Sequence, residues 1–405
     1  MTGVLPDHLA IHLHQRALAL DAADPLAGWR DRFVIADPDL AYLDGNSLGM
    51  TPRRTVERVR EVMETEWAGG LIGSWAHWVD MPARVGDTLA TLVGAAPGEV
   101  VVHDSVSVNL AQLAHAALAL RPDRRAIAID AGDFPSDRYI VDGIARSLGL
   151  EVRHDLERLD HVAVVVRSHV DYRTAEVADM AGETRRAHAA GALTIWDLSH
   201  SAGLLEVDLR GAGAELAVGC TYKFLNGGPG SPGFSYVSAD LVDHIEQPIQ
   251  GWFGHHDQFS MGPDFVPHAD ARRLLIGTPS ILALAATQVG VELTATAGIA
   301  AVADKARSLT GFALECCDAA GLASPTPTDP TRRGGHVSVR HPDAEAITRL
   351  LAGEHRVVAD FRQPDLIRLG CSPLTTRFVD VYAGVAALAA LAATAPVPSH
   401  DQTGS

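Results

Sequence analysis

Apolar positions along the chain follow two rhythms. From about residue 87, short runs rich in β-branched residues, "EVVVH", "AIAID", "VAVVV", "LTIWD", "LAVGC" and "FSYV", alternate with longer stretches whose apolar residues recur at helical spacing. Near-continuous apolar strands set between helices predict a mostly parallel sheet covered on both faces. After about residue 290 the pattern changes. "LTATAGIAAVADKARSLTGFALECCDAAG" predicts one long helix or two, followed by strand candidates "GGHVSVRH", "VVADFR" and "LIRLGC" and the Ala-rich helix "VYAGVAALAALAATA". The expected division is a large α/β domain over 46–290 and a smaller α+β domain built from 1–45 and 291–405. No repeat interrupts this order, and the final "VPSHDQTGS" reads as frayed.

Composition narrows the partners. With 405 residues, 47% of them hydrophobic and 20% charged, the chain is long enough for two cores and has no signature of disorder. A formal net charge of -17 argues against nucleic acid or an anionic membrane, which need a basic face. Cys220, Cys316, Cys317 and Cys371 form neither a disulfide framework nor a metal-ligand spacing, which suits a reducing compartment. His8, His12 and His14 fall on a leading helix without acidic or thiol partners, and no metal site is expected. The N-terminal stretch lacks the basic-then-apolar order of a leader, and the Ala-rich helix is too short to span a bilayer. The expected location is the cytoplasm.

Chemistry enters with "GCTYKFLNGGPGSPGF". Lys223 there and Lys305 are the chain's only lysines, although Lys plus Arg number 33. A primary amine can lose its proton and attack a carbonyl, which guanidinium cannot, so Lys223 is a candidate Schiff-base lysine. It follows the strand "ELAVGC" and precedes a Gly/Pro-rich loop, at the strand end where open α/β sheets bind ligands. Asp197 and His200 end another buried strand in "LTIWDLSH". A pyridoxal phosphate enzyme needs an amine, a carboxylate for the pyridine nitrogen, an aromatic ring against the pyridine face and an anion site. Lys223, Asp197 and Phe134 supply the first three. The strand-to-helix turn at Val106 and Ser107 supplies the fourth, because free N–H groups at a helix start attract phosphate.

"YLDGNSLGM", "FPSDRY", "WDLSHSAG", "YKFLNGGPGSPGF", "GWFGH", "GTPSILAL" and "IRLGCSPL" occur in the order found in kynureninases, which the chain resembles over nearly its whole length. The resemblance implies an aminotransferase-like, fold-type I pyridoxal phosphate enzyme that hydrolyses L-kynurenine to anthranilate and L-alanine. It implies Lys223 as the cofactor lysine, Tyr222 beside the phosphate as candidate proton donor, Asp197 on the pyridine nitrogen and Phe134 on the ring. Val106, Ser107, Asp137, Ser168 and His200 match further cofactor positions. Trp252 and Thr278 match positions that reach the phosphate from the second subunit of a homodimer. Arg368 matches the substrate-carboxylate clamp, and Asn46 a substrate-binding position.

Three departures concern the substrate ring. Thr375 stands where the family commonly has an aromatic in "PLY", the segment around 74–82 is short, and position 278 is Thr where animal enzymes, which favour the 3-hydroxylated substrate, carry Asn. 3-Hydroxykynurenine and other substituted kynurenines of secondary metabolism therefore stay open as substrates. A cysteine desulfurase of the same fold is a further alternative. It requires a mobile cysteine, and none of the four sits in an obvious Gly/Ser-rich loop. A non-catalytic interaction protein is the reading of a different class, against which Lys223, Asp197 and Arg368 together argue.

Overall fold

The computed structural model describes residues 6–394, so the tail "VPSHDQTGS" lies outside the described residues. The strands in chain order are β1 (Ala41–Tyr42), β2 (Val100–His103), β3 (Ala126–Ile129), β4 (Glu151–Arg153), β5 (Val162–Ser168), β6 (Leu193–Asp197), β7 (Leu216–Gly219), β8 (Gly233–Val237), β9 (His336–Arg340), β10 (Val357–Val358), β11 (Asp360–Arg362) and β12 (Leu366–Gly370). Seven of them form one sheet in the order β2-β8-β7-β6-β5-β3-β4. The pairs from β4 to β7 are parallel, and β8 joins β7 and β2 antiparallel. The six apolar runs read from the sequence are all in this sheet. The seventh strand, Glu151–Arg153, is an edge with one buried face at most, so charged residues are tolerated there and no apolar run betrays it.

The second part of the molecule packs a separate core. Antiparallel β11-β12-β9 and the two-residue parallel pair β1-β10 lie with the helices Asp7–Ala23, Ile299–Ala319, Ala344–Glu354 and Phe378–Thr394, sharing Leu13, Phe312, Val337, Leu369 and Leu388. "VVADFR" is thus two strands: β10 pairs with β1 while β11 turns to pair with β12. The long helical stretch is likewise two helices, Ile281–Ala297 and Ile299–Ala319, bent by 84° at Gly298. Gly298 has φ +85°, a conformation that a side chain would strain. The bend lets the first helix cover the large sheet and the second cover the small one. Lys305, on the second helix, pairs with Asp24 at 2.6 Å, both side chains buried, and ties the leading segment to this core. No single helix among the described residues is long and apolar enough to cross a membrane.

Candidate active site

β5, β6 and β7 run parallel, so their carboxyl ends open at one edge of the sheet. Ser168 ends β5 opposite Asp197, which ends β6. Tyr222 and Lys223 follow β7 in a loop that holds its own shape. Thr221 Oγ1 donates to the Pro232 carbonyl at 2.6 Å, the Gly227 N–H to the Thr221 carbonyl at 2.8 Å and the Asn226 N–H to the Lys223 carbonyl at 3.0 Å. Two glycines let neighbouring segments press on this loop. A Cβ at Gly49 would stand 2.3 Å from the Lys223 carbonyl oxygen, and one at Gly290 2.0 Å from that of Leu225. The lysine's backbone is therefore fixed by contacts from "YLDGNSLGM" and from the helix Ile281–Ala297.

Lys223 is buried, with Nζ 3.0 Å from His200 Nε2 and 5.9 and 5.8 Å from the ring centroids of Phe134 and Tyr222. Burial, then the charge of Lys223, holds His200 well below the ordinary histidine range. The neutral ring accepts from the lysine at Nε2 and so carries its proton on Nδ1, a buried atom with no partner among the described residues. Asp197 Oδ1 accepts from the Ser199 N–H at 2.9 Å and the Ser199 hydroxyl at 2.6 Å, which orients the carboxylate. Beside it, burial and then the charges of Asp197 and Asp133 push the Asp137 carboxyl well above the usual range, so Asp137 keeps a proton. Its Oδ2 has no partner among the described residues. Burial, followed by Cys220, Asp197 and Asp137, raises the Tyr222 phenol and keeps it a donor.

The expected anion position is the start of the helix Val106–Ala119, where Ser105 caps the Val108 N–H at 3.4 Å. The N–H groups of Val106 and Ser107, in the first turn, have no carbonyl of their own helix to bond. A Cβ at Gly233 would lie 2.9 Å from the Val106 nitrogen, so only a glycine lets β8 begin so close to the helix end. These residues suit pyridoxal phosphate in kind: unpaired first-turn donors for a phosphate, a carboxylate oxygen for a ring N–H, a buried imidazole N–H and an amine between two aromatic rings.

The residues expected to meet substrate are more constrained. Arg368 is buried, its Nε donating to Asp360 Oδ1 at 2.6 Å, its Nη1 to the Tyr172 carbonyl at 2.7 Å and its Nη2 to Asp360 Oδ2 and, at 3.2 Å, to the Ser47 hydroxyl. Asn46 is fully buried with neither side-chain amide atom bonded among the described residues, and it lies against Gly370. Thr375 is buried too, its carbonyl accepting from Arg30. In the short 74–82 segment, the Trp78 indole donates to Glu66 at 2.6 Å, and Trp75 packs against Phe253 at 5.9 Å. Trp252 and Thr278 lie on exposed segments, with no hydrogen bond or ring contact to Lys223, Asp197 or His200 among the described residues. Thr278 lines a cavity of 390 Å³ with His103, Asp104 and Pro232.

Of four further residues at this site, three carry no signal in their local sequence. Tyr172 meets the Phe134 ring edge-on at 5.2 Å and accepts from Arg368. His336 comes from β9 to stand 6.0 Å from His200. Asp360 holds Arg368. His169 donates its backbone N–H to the Asp197 carbonyl at 2.9 Å and lays its ring against Trp196. Only its adjacency to Ser168 offered a hint.

Burial pushes the His169 ring from 6.5 to about 4, and it lowers His336 as it does His200. Because the folded value lies below the unfolded one, the unfolded chain binds the extra proton, and stability falls as pH drops from about 6.5 to about 4. His169 alone contributes about 3 kcal/mol to this loss. Urea unfolding at stepped pH is expected to show midpoints declining through that window, with a shallower decline for His169→Gln. An equal slope in the variant would mean that His169 does not stay neutral in the fold.

A family model described as the kynureninase C-terminal domain matches residues 302–388. The kynureninase of Pseudomonas fluorescens is 42% identical over 91% of this chain and 92% of its own length. That of Deinococcus radiodurans is 43% identical over 96% and 98%. Among solved structures, a cysteine desulfurase from Thermococcus onnurineus NA1 superposes with a TM-score of 0.75 at 18% identity, covering 87% of this chain and 94% of its own. A cystine C–S lyase in complex with cysteine persulfide superposes at 0.76 and 19%, covering 87% and 98%. At such identity these two speak for the fold alone.

Proposed function

The chain belongs to the kynureninase family, and we propose that the residues around Lys223 carry that family's reaction in the following way. The protein is a pyridoxal phosphate-dependent hydrolase of fold-type I that cleaves L-kynurenine at its Cβ–Cγ bond, with water, to anthranilate and L-alanine. Bound pyridoxal phosphate supplies an electron-withdrawing ring that takes up the electron pair left when a bond to the substrate's Cα or Cβ breaks. Lys223 holds the cofactor and moves the Cα proton at Nζ. Asp197 would take the ring N–H and keep it protonated, and Phe134 would pack against the ring. Val106, Ser107 and Tyr222 hold the phosphate, with Tyr222 Oη a candidate proton donor, and Asp137, Ser168 and His200 complete the shell. Arg368 takes the substrate carboxylate, with Asn46 nearby.

The observation that carries this reading is the buried Lys223 amine, hydrogen-bonded to a neutral His200 and flanked by two rings at the carboxyl edge of the sheet. The test is anthranilate fluorescence released from L-kynurenine by the purified protein, alongside 3-hydroxykynurenine and a further substituted kynurenine. No product from any of the three would overturn it. The desulfurase alternative has the structure against it: all four cysteines are buried, and burial pushes Cys316 and Cys371 up to about 12 and raises Cys220.

The proposal extends to a cytoplasmic homodimer, acting in tryptophan catabolism through the kynurenine pathway toward NAD biosynthesis, with 46–290 as the cofactor domain and 1–45 with 291–405 as the second. Trp252 and Thr278 would reach the partner's phosphate, in keeping with their exposure and with the absence of a hydrogen bond or ring contact from either to Lys223 among the described residues. Lys223→Ala and Trp252→Ala subunits are each expected to be poorly active. Unfolded together and reassembled, half of the dimers are mixed and each mixed dimer has one intact site, so recovery should approach about a quarter of wild-type activity. Activity no higher than the parental mean, with exchange confirmed by tags, would place both residues in one site of one chain.

A further inference from the structure

The Arg368 guanidinium is not an open fork. Of its five N–H groups, Nε and one on Nη2 face Asp360, the other on Nη2 faces Ser47 and one on Nη1 faces the Tyr172 carbonyl. One N–H on Nη1 is left. The Asp360 contact is bidentate along the Nε/Nη2 edge, and it is built into the sheet: Asp360 and Arg368 stand directly opposite each other on β11 and β12. Asp360 is held in turn. Its Oδ2 also accepts from the Ser47 hydroxyl at 2.8 Å and lies 2.8 Å from Arg362 Nη2. Two guanidinium groups thus share one carboxylate, and Asp44 lies near both, its carboxyl raised by burial and by Asp360 to about 6. The weakest of Arg368's bonds, at 3.2 Å, is the one to Ser47, whose hydroxyl keeps its other partner if that bond is given up.

We propose that Asp360 is the positioning residue of the substrate-carboxylate site: it grips the Nε/Nη2 edge of Arg368, turns the Nη1/Nη2 edge toward substrate, and leaves Ser47 as the partner that yields. This rests on the reading of Arg368 as the carboxylate clamp. Freed from Asp360, a guanidinium on a flexible stem would lose the orientation that makes two parallel bonds to a carboxylate possible. The competing role for the same contact is a latch, in which Asp360 occupies the place of the substrate carboxylate and weakens its binding.

The two roles move KM in opposite directions. Asp360→Asn in the holoenzyme is expected to raise KM for kynurenine roughly tenfold, the lower end of a charge-assisted hydrogen bond, while KM for kynurenine amide and kcat for either change little. Asp360→Glu, which keeps the charge on a longer arm, should shift the acid-to-amide KM ratio the same way by less, and it serves as the test if the Asn variant does not fold. A fall in KM for the acid, or an unchanged acid-to-amide ratio in the folded variants, overturns the proposal. Arg368→Lys is the control for the underlying reading. If it discriminates acid from amide as wild type does, the clamp itself is misassigned. If it loses discrimination while the Asp360 variants keep it, only the role of Asp360 falls.

Discussion

Lys223→Arg is expected to fold, to keep its positive charge and to lose kynurenine turnover. Arginine preserves what a structural cation would do at this position, since His200 Nε2, held neutral by burial, accepts as well from a guanidinium as from the ammonium 3.0 Å away. What it removes is the ability to lose a proton and condense with an aldehyde. The loss of proton transfer at Nζ alone costs roughly 10²–10⁴-fold. Borohydride should fix a chromophore covalently to the wild-type chain and none to the variant, and anthranilate release should drop in step. A variant that turns over at the wild-type rate would take Lys223 out of the chemistry, whatever its burial.

Asp197→Asn is expected to leave the fold intact and lower turnover by roughly 10²–10³-fold, the scale of losing one preorganised electrostatic partner. The amide oxygen can still accept from the Ser199 N–H and hydroxyl, so the β6 terminus keeps its local bonds. The charge is gone, and with it the group that keeps a pyridine nitrogen protonated. The charge of Asp197 is also the second largest cause, after burial, of the raised Asp137 carboxyl, so removing it lowers Asp137 and lets it recover part of the negative charge. For this reason the double variant Asp197→Asn with Asp137→Asn should be less active than the single one. Unchanged turnover in a folded Asp197→Asn protein would remove Asp197 from the site.

Much of the architecture was legible in the chain because it is written in short-range patterns. Apolar runs of four to seven residues mark β2, β3, β5, β6, β7 and β8, since strands covered on both faces need no polar alternation. β4, exposed and charged, has no such pattern, and its pairing to β3 is decided by the sheet edge available to it. "VVADFR" divides because its two halves find different partner strands, a choice its own residues do not express.

At the site, the residue types demanded by the chemistry were nameable in advance. A scarce lysine before a glycine-rich loop, an aspartate ending a buried strand and a helix start after another are each recorded within a few residues of sequence. Their electrostatic state is not, because burial and neighbouring charge set it. Burial and the neighbouring charges raise the Asp137 carboxyl well above the usual range, and identical imidazoles at His169, His200 and His336 are kept neutral by the depth at which the fold places them. Arg368 reads in sequence as a carboxylate clamp. The tertiary structure gives it Tyr172, 196 positions away, and Ser47, 321 positions away, along with Asp360 across the strand pair. Sequence alone determined the buried strands of the large sheet and which chemical groups the chain brings to their ends, because local periodicity and backbone chemistry act over a few residues. Only the folded chain decided which groups are desolvated and which donors are already engaged, because those depend on contacts between segments that no local pattern encodes.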